Sequence, residues 1–267
     1  MRSGSVPEPG PARGPVEAAS PRTPLKLANP TPVQPTYRRL ARFAGWLLRR
    51  ITDQDWDNAE HLPRTGGAIV VSNHISYADP PALAQYLIWR GRWPRALGKS
   101  DLWKVPVIGR LARATGQIPV ERGTERAKDA LVHAQDALDA GELIIIYPEG
   151  TITADPDTWP MTARPGAARL ALKTGYPVIP VGQWGANFIM PGKRPGWPRL
   201  WPRRTLVFRT GAPVDLSDLA GRTDSEAVVA AGVRIMDAVT ALVAQIRQAD
   251  PPEGVYDIRV GARVPRG

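Results

Sequence analysis

The sequence predicts an α/β fold with a mixed, largely parallel central sheet flanked by helices and preceded by a basic amphipathic N-terminal helical segment. Short apolar runs alternate with helical patterns over residues 66–211, which is typical of parallel strands joined by helices. Hydrophobic residues make up 43% of the 267-residue chain, enough for a buried core. Residues 37–51 have apolar side chains at helical spacing among several arginines, which indicates the preceding helix.

The N-terminal part of the chain divides into two predicted segments. Residues 1–35 are rich in Pro, Gly, Ala and Ser, which predicts a disordered tail. Residues 36–60 are predicted to be an interfacial amphipathic helical segment. Such a helix either packs on the domain surface or lies in a membrane interface, with Trp46 near the headgroups. Its predicted apolar face consists of Leu40, Phe43, Ala44, Leu47 and Ile51.

The α/β domain is predicted over residues 61–250, followed by a C-terminal tail over 251–267. Strand-like apolar runs cover residues 68–72, 95–99, 116–120, 142–148, 177–184 and 205–210. Helical patterns cover residues 79–90, 102–113, 124–140, 164–174 and about 224–248. Each strand therefore ends where a helix or loop begins, which is where α/β folds expose reactive groups.

The formal net charge of +10 is concentrated in two stretches without acidic residues, 37–51 and 192–204. This distribution indicates a polyanionic partner, either nucleic acid or an anionic membrane surface. No uninterrupted apolar run approaches the roughly 18 residues that span a bilayer, and the N-terminus lacks a signal-peptide core. We therefore expect any membrane contact to be peripheral. The absence of cysteine excludes disulfides and thiolate catalysis.

His74 stands where the first predicted strand ends, and Asp79 follows five residues later. A carboxylate bonded to one ring nitrogen fixes the tautomer and makes the other nitrogen more basic, so this pair suits proton abstraction from an alcohol. Asn73 and the amides at the next helix start either hold the loop or stabilise an oxyanion. Taken alone, these residues are weak evidence of catalysis, because a single histidine beside a strand is more often structural.

Three further strand ends carry polar motifs, which read GQIPVERG, YPEGT and VIPVGQWG. Preceded by Asn73-His74-x4-Asp79, they resemble in order the four blocks of the glycerolipid acyltransferases typified by 1-acylglycerol-3-phosphate (lysophosphatidic acid) acyltransferase. The run LGKSDLWKVPVIGRL is similar to the segment that those enzymes carry between the first two blocks. The resemblance covers about residues 37–212, and the order of the blocks makes it specific.

The resemblance implies a direct acyl transfer. His74 is then the general base that deprotonates a glycerol hydroxyl, which attacks an acyl thioester, and Asp79 orients the imidazole. No covalent acyl-enzyme and no cofactor are implied, since acyl-CoA or acyl carrier protein (acyl-ACP) is a co-substrate. Within the binding set, Arg122 and Lys99 are expected to bind the acceptor phosphate. The predicted substrate-binding set is Asn73, Lys99, Arg122, Glu149, Gly150 and Thr151.

The third block departs from the family pattern. The family usually continues Glu-Gly-Thr with Arg-Ser, whereas Ile152 and Thr153 stand in those places here. Three interpretations remain open: Arg164 supplies the missing phosphate-binding cation, the acceptor differs from lysophosphatidic acid, or Ile152 is a packing substitution. No metal site is predicted, because the sequence has no HxxxH or HExxH motif and no carboxylate cluster.

The expected function is transfer of a fatty acyl group from acyl-CoA or acyl-ACP to a lysophospholipid hydroxyl, most simply 1-acylglycerol-3-phosphate, giving phosphatidic acid. Tryptophans among cations in residues 101–111 and 193–204 favour peripheral, monotopic binding to anionic lipid at the cytoplasmic face of the cell membrane. No nucleic acid is expected, because no RNA-binding signature accompanies these residues. The alternatives are the same chemistry on a glycolipid or glycerol 3-phosphate, or a non-catalytic membrane-binding or nucleic-acid-binding protein.

Overall fold

The computed structural model describes residues 19–57, 59–121, 127–190, 192 and 196–265. Within these residues the strands are β1 (Thr52–Trp56), β2 (Ala68–Ser72), β3 (Pro94–Lys99), β4 (Ile118–Val120), β5 (Leu143–Ile146), β6 (Val178–Trp184), β7 (Arg204–Thr210), β8 (Val255–Asp257) and β9 (Ala262–Val264). The α-helices are α1 (Leu25–Ala28), α2 (Pro35–Ile51), α3 (Asp79–Trp89), α4 (Pro106–Ala114), α5 (Ala127–Asp139), α6 (Pro165–Thr174) and α7 (Ser225–Arg247).

Seven of the described strands form one sheet in the order β1-β7-β6-β2-β5-β3-β4. Every neighbouring pair in this sheet is parallel except β6 and β7, which are antiparallel. The central strands β2 and β5 are buried along their whole length, as expected for apolar, β-branched strands covered by helices on both faces. The predicted mixed, largely parallel α/β fold is therefore confirmed.

Successive side chains of β2 face two different cores, because neighbouring residues of a strand point to opposite sides of the sheet. Ile69 and Val71 belong to the core formed with α5, α6 and α7. Val70 belongs to the core formed with α3, where Leu83 and Leu87 are buried. The sheet thus has a helical layer on each face, and the helices follow strand ends at its carboxyl edge.

Helix α7 is, among the described helices, the one long and apolar enough to cross a membrane by length and composition. In this fold it packs along the sheet, and its buried stripe includes Ile235, Val239 and Val243. Gly182 of β6 permits the close approach, since a Cβ there would lie 2.6 Å from the Cβ of Leu242. Packing in the core therefore accounts for the apolar character of this helix.

The helical segment predicted over 36–60 ends at Ile51. Residues Thr52–Trp56 instead form β1, an edge strand that pairs in parallel with β7. Their sequence, TDQDW, has almost no apolar residues, so the pattern that indicates buried strands is missing. The helix predicted over 102–113 also starts later than expected, because Pro106 begins α4 after a short 3-10 turn at Ser100–Lys104.

The predicted disordered tail over 1–35 is ordered in its second half. Residues 1–18 lie outside the described residues, but α1 follows, and its Leu25 is buried. The side-chain amide of Asn29 donates to the carbonyl of Ile88, and the indole of Trp89 donates to the carbonyl of Thr23. A few specific contacts with the end of α3 thus order a segment whose composition favours disorder.

The predicted C-terminal tail over 251–267 contains a β-hairpin formed by β8 and β9. Tyr256 forms an isolated parallel bridge with Met161, and Arg263 forms an ion pair with Asp155. Each strand has three residues, too few to show an apolar periodicity. The contacts that dock this hairpin on the domain are therefore not readable from the local sequence.

Candidate active site

The parallel register places two of the predicted site residues side by side at the carboxyl edge of the sheet. Val71 of β2 pairs with Ile146 of β5. His74 and Glu149 each follow three residues after these partners, so both leave the sheet at the same level. This edge, outside the ends of parallel strands, is where open α/β sheets bind their ligands.

His74 and Asp79 form the pair that the sequence predicts. The distance between His74 Nδ1 and Asp79 Oδ2 is 2.8 Å, and Asp79 is completely buried at the start of α3. Burial raises the pKa of the Asp79 carboxyl, whereas hydrogen bonds from His74, Ser76 and Ile75 lower it. Among the described residues His74 Nε2 makes no hydrogen bond, and the side chain remains 16% exposed. With Nδ1–H donating to Asp79, Nε2 is free to accept a proton.

The backbone of His74 is held on both sides. Its N–H donates to Glu149 Oε1 at 2.7 Å, and its carbonyl accepts from the N–H of Thr153 at 2.7 Å. Glu149 Oε2 accepts a second hydrogen bond, from the N–H of Met161 at 3.1 Å. Burial raises the pKa of Glu149 to about 8. The carboxyl group of Glu149 is thus buried beneath residues 73–78, which we call the histidine loop, and this position favours a supporting role over the predicted role in substrate binding.

The aromatic ring of Tyr147 stacks on the imidazole of His74. The ring centroids are 4.4 Å apart and the planes are inclined by 24°. The Tyr147 hydroxyl is buried, and burial raises the pKa of Tyr147. Sequence reasoning missed this residue as part of the site, although it begins the YPEGT motif. The stacked ring restricts rotation of the imidazole about its side-chain bonds.

Asn73 is completely buried and binds Gln183 rather than a substrate. Its Nδ2 donates to the carbonyl of Gln183 at 3.0 Å, and its Oδ1 accepts from the Gln183 N–H at 2.9 Å. The side chain of Gln183 in turn donates to the Asn73 carbonyl at 2.6 Å. The amide of Asn73 therefore joins the ends of β2 and β6, which favours a structural role over the predicted substrate-binding role.

The third motif turns sharply at Gly150, whose φ is +71°. A Cβ at this position would lie 2.5 Å from Arg164 Cδ, so only glycine lets the Arg164 side chain cross the turn. Arg164 is exposed, and its guanidinium makes no hydrogen bond or ion pair with the described residues. Gly150 thus lies beside the side chain of Arg164, and the next residue, Thr151, is half-buried.

The two residues that depart from the family pattern face inward. Ile152 is buried, and so is Thr153, whose Oγ1 donates to the carbonyl of Trp159 at 2.7 Å. An apolar residue at position 152 therefore fills interior space in this chain. This observation favours the packing interpretation of Ile152 and leaves Arg164 as the nearby cation.

The other two predicted phosphate-binding cations differ in what the structure shows of them. Lys99 ends β3, two strands from β2, which corresponds to about 10 Å across the sheet. Its Nζ is 2.6 Å from a carboxylate oxygen of Asp101. Arg122 lies outside the described residues, two positions after Val120 ends β4. In the described part of the chain, no group of three or more His, Asp or Glu residues has an arrangement that could hold a metal ion.

Helix α2 buries one stripe against α3 and exposes another. Tyr37 and Ala41 are buried with Trp89. Phe43 and Leu47 of the predicted apolar face are exposed, which favours the membrane-interface alternative for this part of the helix. We call the exposed residues Phe43, Trp46 and Leu47 the α2 surface.

A second exposed apolar area surrounds the start of α4. Lys104 and Arg110 lie among its residues and are exposed as well. Trp103 is half-buried and packs against Gly98, so it supports this area from beneath. We call the exposed residues Leu102, Val105, Val107, Ile108 and Leu111 the α4 surface. Contiguous apolar residues rimmed by cations are typical of a site that meets a membrane or a protein partner.

A buried carboxylate that orients a histidine at the carboxyl edge of a parallel sheet defines a class of α/β enzyme in which an imidazole base activates a hydroxyl group. A protein-family model described as Acyltransferase matches residues 55–184, which include every residue of the site from His74 to Arg164. This segment, slightly less than half of the chain, is therefore similar to the acyltransferase family.

Curated relatives with related names match parts of the chain. The chloroplastic 1-acyl-sn-glycerol-3-phosphate acyltransferase BAT2 of Brassica napus is 32% identical over 139 residues, covering 51% of this chain and 39% of that protein. The lyso-ornithine lipid O-acyltransferase of Rhodobacter capsulatus is 31% identical over 186 residues, covering 62% of this chain and 64% of that protein. The chain thus spans less than half the length of the first of these relatives.

A solved structure has the same fold. The crystal structure of the 1-acyl-sn-glycerophosphate acyltransferase PlsC from Thermotoga maritima superposes with a TM-score of 0.63 over 81% of each chain. The sequence identity is 23%, so the likeness concerns the architecture.

Proposed function

We propose that this protein is an O-acyltransferase that moves a fatty acyl group from a thioester to the free hydroxyl of a lysophospholipid. The preferred acceptor is 1-acylglycerol-3-phosphate, and the product is phosphatidic acid. The observation that carries the proposal is the hydrogen bond between His74 Nδ1 and the buried Asp79, which leaves Nε2 free at the edge of the sheet. The name of the Brassica relative supports the acceptor.

In the proposed reaction, His74 Nε2 takes the proton of the acceptor hydroxyl as its oxygen attacks the thioester carbonyl. The new C–O bond forms, the C–S bond breaks, and the departing thiolate receives the proton from the imidazolium. Asp79 stabilises the imidazolium while it exists. No cofactor enters this scheme, because acyl-CoA or acyl-ACP is consumed as a co-substrate.

A second acceptor remains a candidate because of the third motif. Ile152 occupies a position where the family usually has an arginine, and it is buried. One cation for an acceptor phosphate is therefore missing from that motif. The Rhodobacter relative is named for a lyso-ornithine lipid, so we propose this lipid as the alternative acceptor class.

The acceptor test measures thiol release from palmitoyl-CoA and, separately, release of acyl carrier protein from palmitoyl-ACP. The purified protein receives either 1-acylglycerol-3-phosphate or lyso-ornithine lipid in detergent micelles. Turnover with the phosphate acceptor, and its inhibition by glycerol 3-phosphate, are the expected results. Turnover with lyso-ornithine lipid alone would replace the acceptor, and acylation of neither lipid would contradict the proposed substrate class.

We also propose that the protein binds peripherally to anionic lipid at the cytoplasmic face of the membrane. The α2 and α4 surfaces supply exposed apolar side chains, and exposed arginines and lysines accompany both. Arg203 donates to the carbonyls of Arg49 and Thr52 at the end of α2, and the exposed Trp201 stands two positions before Arg203. No nucleic-acid partner is proposed.

Liposome sedimentation tests the membrane proposal. Val107→Glu removes an apolar side chain from the α4 surface, and Val132→Glu makes the same change at an exposed position of α5. Because burying one valine contributes about 1.5 kcal/mol, we expect Val107→Glu to weaken binding to phosphatidylglycerol vesicles about tenfold. Equal effects of the two variants would contradict docking through the α4 surface.

A further inference from the structure

We propose that the C-terminal hairpin, residues 255–264, positions the histidine loop, and that Arg263 is the positioning residue. Arg263 acts through residues 151–162, which we call the bridging loop. This inference rests on the proposed function, because it assigns the hairpin a role in holding His74 for proton transfer. The hairpin lies outside residues 55–184, the segment that the acyltransferase model matches.

The bridging loop is connected to the backbone of His74 at two points, once directly and once through Glu149. The N–H of Thr153 donates to the carbonyl of His74 at 2.7 Å. The N–H of Met161 donates to Glu149, whose other carboxyl oxygen accepts from the N–H of His74. Both backbone polar groups of His74 therefore depend on the position of this loop. A displacement of the loop changes the direction in which the imidazole points.

The bridging loop owes its shape to Asp155. Asp155 Oδ1 accepts hydrogen bonds from the N–H groups of Asp157 at 2.9 Å and Trp159 at 3.2 Å. The N–H of Asp155 donates to Thr153 Oγ1 at 3.1 Å. Asp155 therefore closes the turn and is also bonded to Thr153, the residue whose N–H donates to the His74 carbonyl.

Arg263 binds this carboxylate from the hairpin. Its Nε is 2.9 Å from Asp155 Oδ2 and its Nη2 is 3.0 Å from Oδ1, the two-point geometry of a strong arginine–carboxylate pair. Nη2 also lies 2.7 Å from an oxygen of Asp157. The Asp155 side chain is 1% exposed, so removing its partner leaves a buried charge uncompensated. Through this ion pair, the hairpin therefore fixes the position of the bridging loop.

Two additional contacts determine how the bridging loop responds to the loss of Arg263. The carbonyl of Tyr256 in β8 accepts from the N–H of Thr162 at 3.0 Å, next to the bridge with Met161. Arg247 of α7 lies 4.1 Å above the ring of Trp159 and donates to the Asp157 carbonyl. Because these contacts remain without Arg263, we expect Arg263→Ala to shift the loop and not to unfold the domain.

Arg259 provides a matched control in the same hairpin. It pairs with Asp257, and its side chain is 81% exposed. Among the described residues, the hydrogen bonds of Arg259 go to Asp257 and not to the bridging loop. Arg259→Ala therefore removes the same residue type and an ion pair of the same hairpin without affecting Asp155.

The test uses histidine NMR and kinetics on the full chain. The chain has three histidines, so the imidazole ¹H–¹⁵N signals of His74 are assigned by their loss in His74→Ala. We expect Arg263→Ala to move the His74 signals and to leave those of His61 and His133 in place. We expect kcat for acyl transfer to fall about 10- to 100-fold with little change in KM, as for a misplaced catalytic group. Arg263→Lys should recover part of both effects, and Arg259→Ala should change neither.

A lower melting temperature of Arg263→Ala with unchanged His74 signals and unchanged kcat would overturn the proposal, since the hairpin would then only stabilise the fold. If Arg263→Ala does not fold, unchanged His74 signals in folded Arg263→Lys would overturn it in the same way. The NMR result requires no turnover. If the protein is inactive on both acceptors, the proposed function is refuted. The positioning role of Arg263 is still decided by the His74 signals.

Discussion

The loop that carries His74 and the exposed side chain of Arg164 differ in how many partners they have within the chain. Around His74, the imidazole Nδ1, the backbone N–H and the carbonyl each have a partner within the chain. Arg164, by contrast, is exposed and its guanidinium has no partner among the described residues. In the proposed mechanism, the proton-transfer group is therefore preorganised, whereas the cation proposed to recognise the acceptor is left for the ligand to order.

Asp79→Asn is the variant for which we expect the largest loss of activity. An amide at position 79 can present its NH₂ group to Nδ1, which would favour the wrong tautomer and remove the charge that stabilises the imidazolium. We expect kcat for thiol release to fall about 10³-fold, with acceptor KM little changed. A variant that retains wild-type kcat would show that Asp79 has no part in proton transfer.

Glu149→Gln tests the support under the histidine. A glutamine can accept only one of the two N–H bonds, and its NH₂ group then faces the other donor, which costs about 1–3 kcal/mol. Because burial raises the pKa of Glu149 to about 8, the folded state keeps a proton that the unfolded state releases near its usual pKa. This contribution to stability is complete below the unfolded pKa and is lost as the pH rises through about 8.

Urea unfolding of wild type and Glu149→Gln at several pH values measures both effects. The wild-type free energy of unfolding should fall more steeply between pH 5 and 8 than that of the variant, because only the wild type carries this carboxyl group. Parallel pH dependences would contradict the raised pKa of Glu149.

Tyr147→Leu tests whether the stacked ring orients the imidazole. Leucine keeps an apolar group beneath the ring of His74 but removes the aromatic face, a contact that contributes about 0.5–1.5 kcal/mol. We expect kcat to fall about tenfold, and Tyr147→Phe should retain most of the activity because it keeps the ring. Equal losses in both variants would instead assign the role to the buried hydroxyl.

Arg164→Ala tests whether this exposed cation binds the acceptor phosphate. Loss of one charge-assisted hydrogen bond to the acceptor phosphate should raise acceptor KM about fivefold to tenfold and leave kcat unchanged. Arg169→Ala is the matched control, because Arg169 is an exposed arginine within α6, the helix that Arg164 precedes. An effect of Arg164→Ala on kcat alone would place this residue with the histidine loop.

The sequence predicts the part of the site that depends on regular structure. Apolar runs identify β2 and β5, and strands that run in parallel must bring His74 and Glu149 to one edge. The spacing of His74 and Asp79 also predicts their hydrogen bond, because only five positions separate His74, just after the end of β2, from Asp79 at the start of α3. These predictions depend on local periodicity and on residues close in sequence.

The missed features depend on partners distant in sequence. Asn73 is polar and next to the histidine, yet its partner Gln183 lies 110 residues away, so its burial is not apparent locally. The polar strand β1 is defined by pairing with β7, and the ion pair of Arg263 with Asp155 joins residues 108 positions apart. No periodicity records such pairs, because a single polar residue at a loop or edge is compatible with many environments.

The measurement that tests the central claim most directly is thiol release by wild type, His74→Ala and His133→Ala with 1-acylglycerol-3-phosphate and palmitoyl-CoA. His133 is an exposed residue of α5 and controls for the loss of an imidazole elsewhere in the chain. If His74 is the base, His74→Ala should lose at least about 10²-fold in kcat, and His133→Ala should match wild type. Wild-type turnover by His74→Ala would contradict the claim that His74 takes the proton from the acceptor hydroxyl.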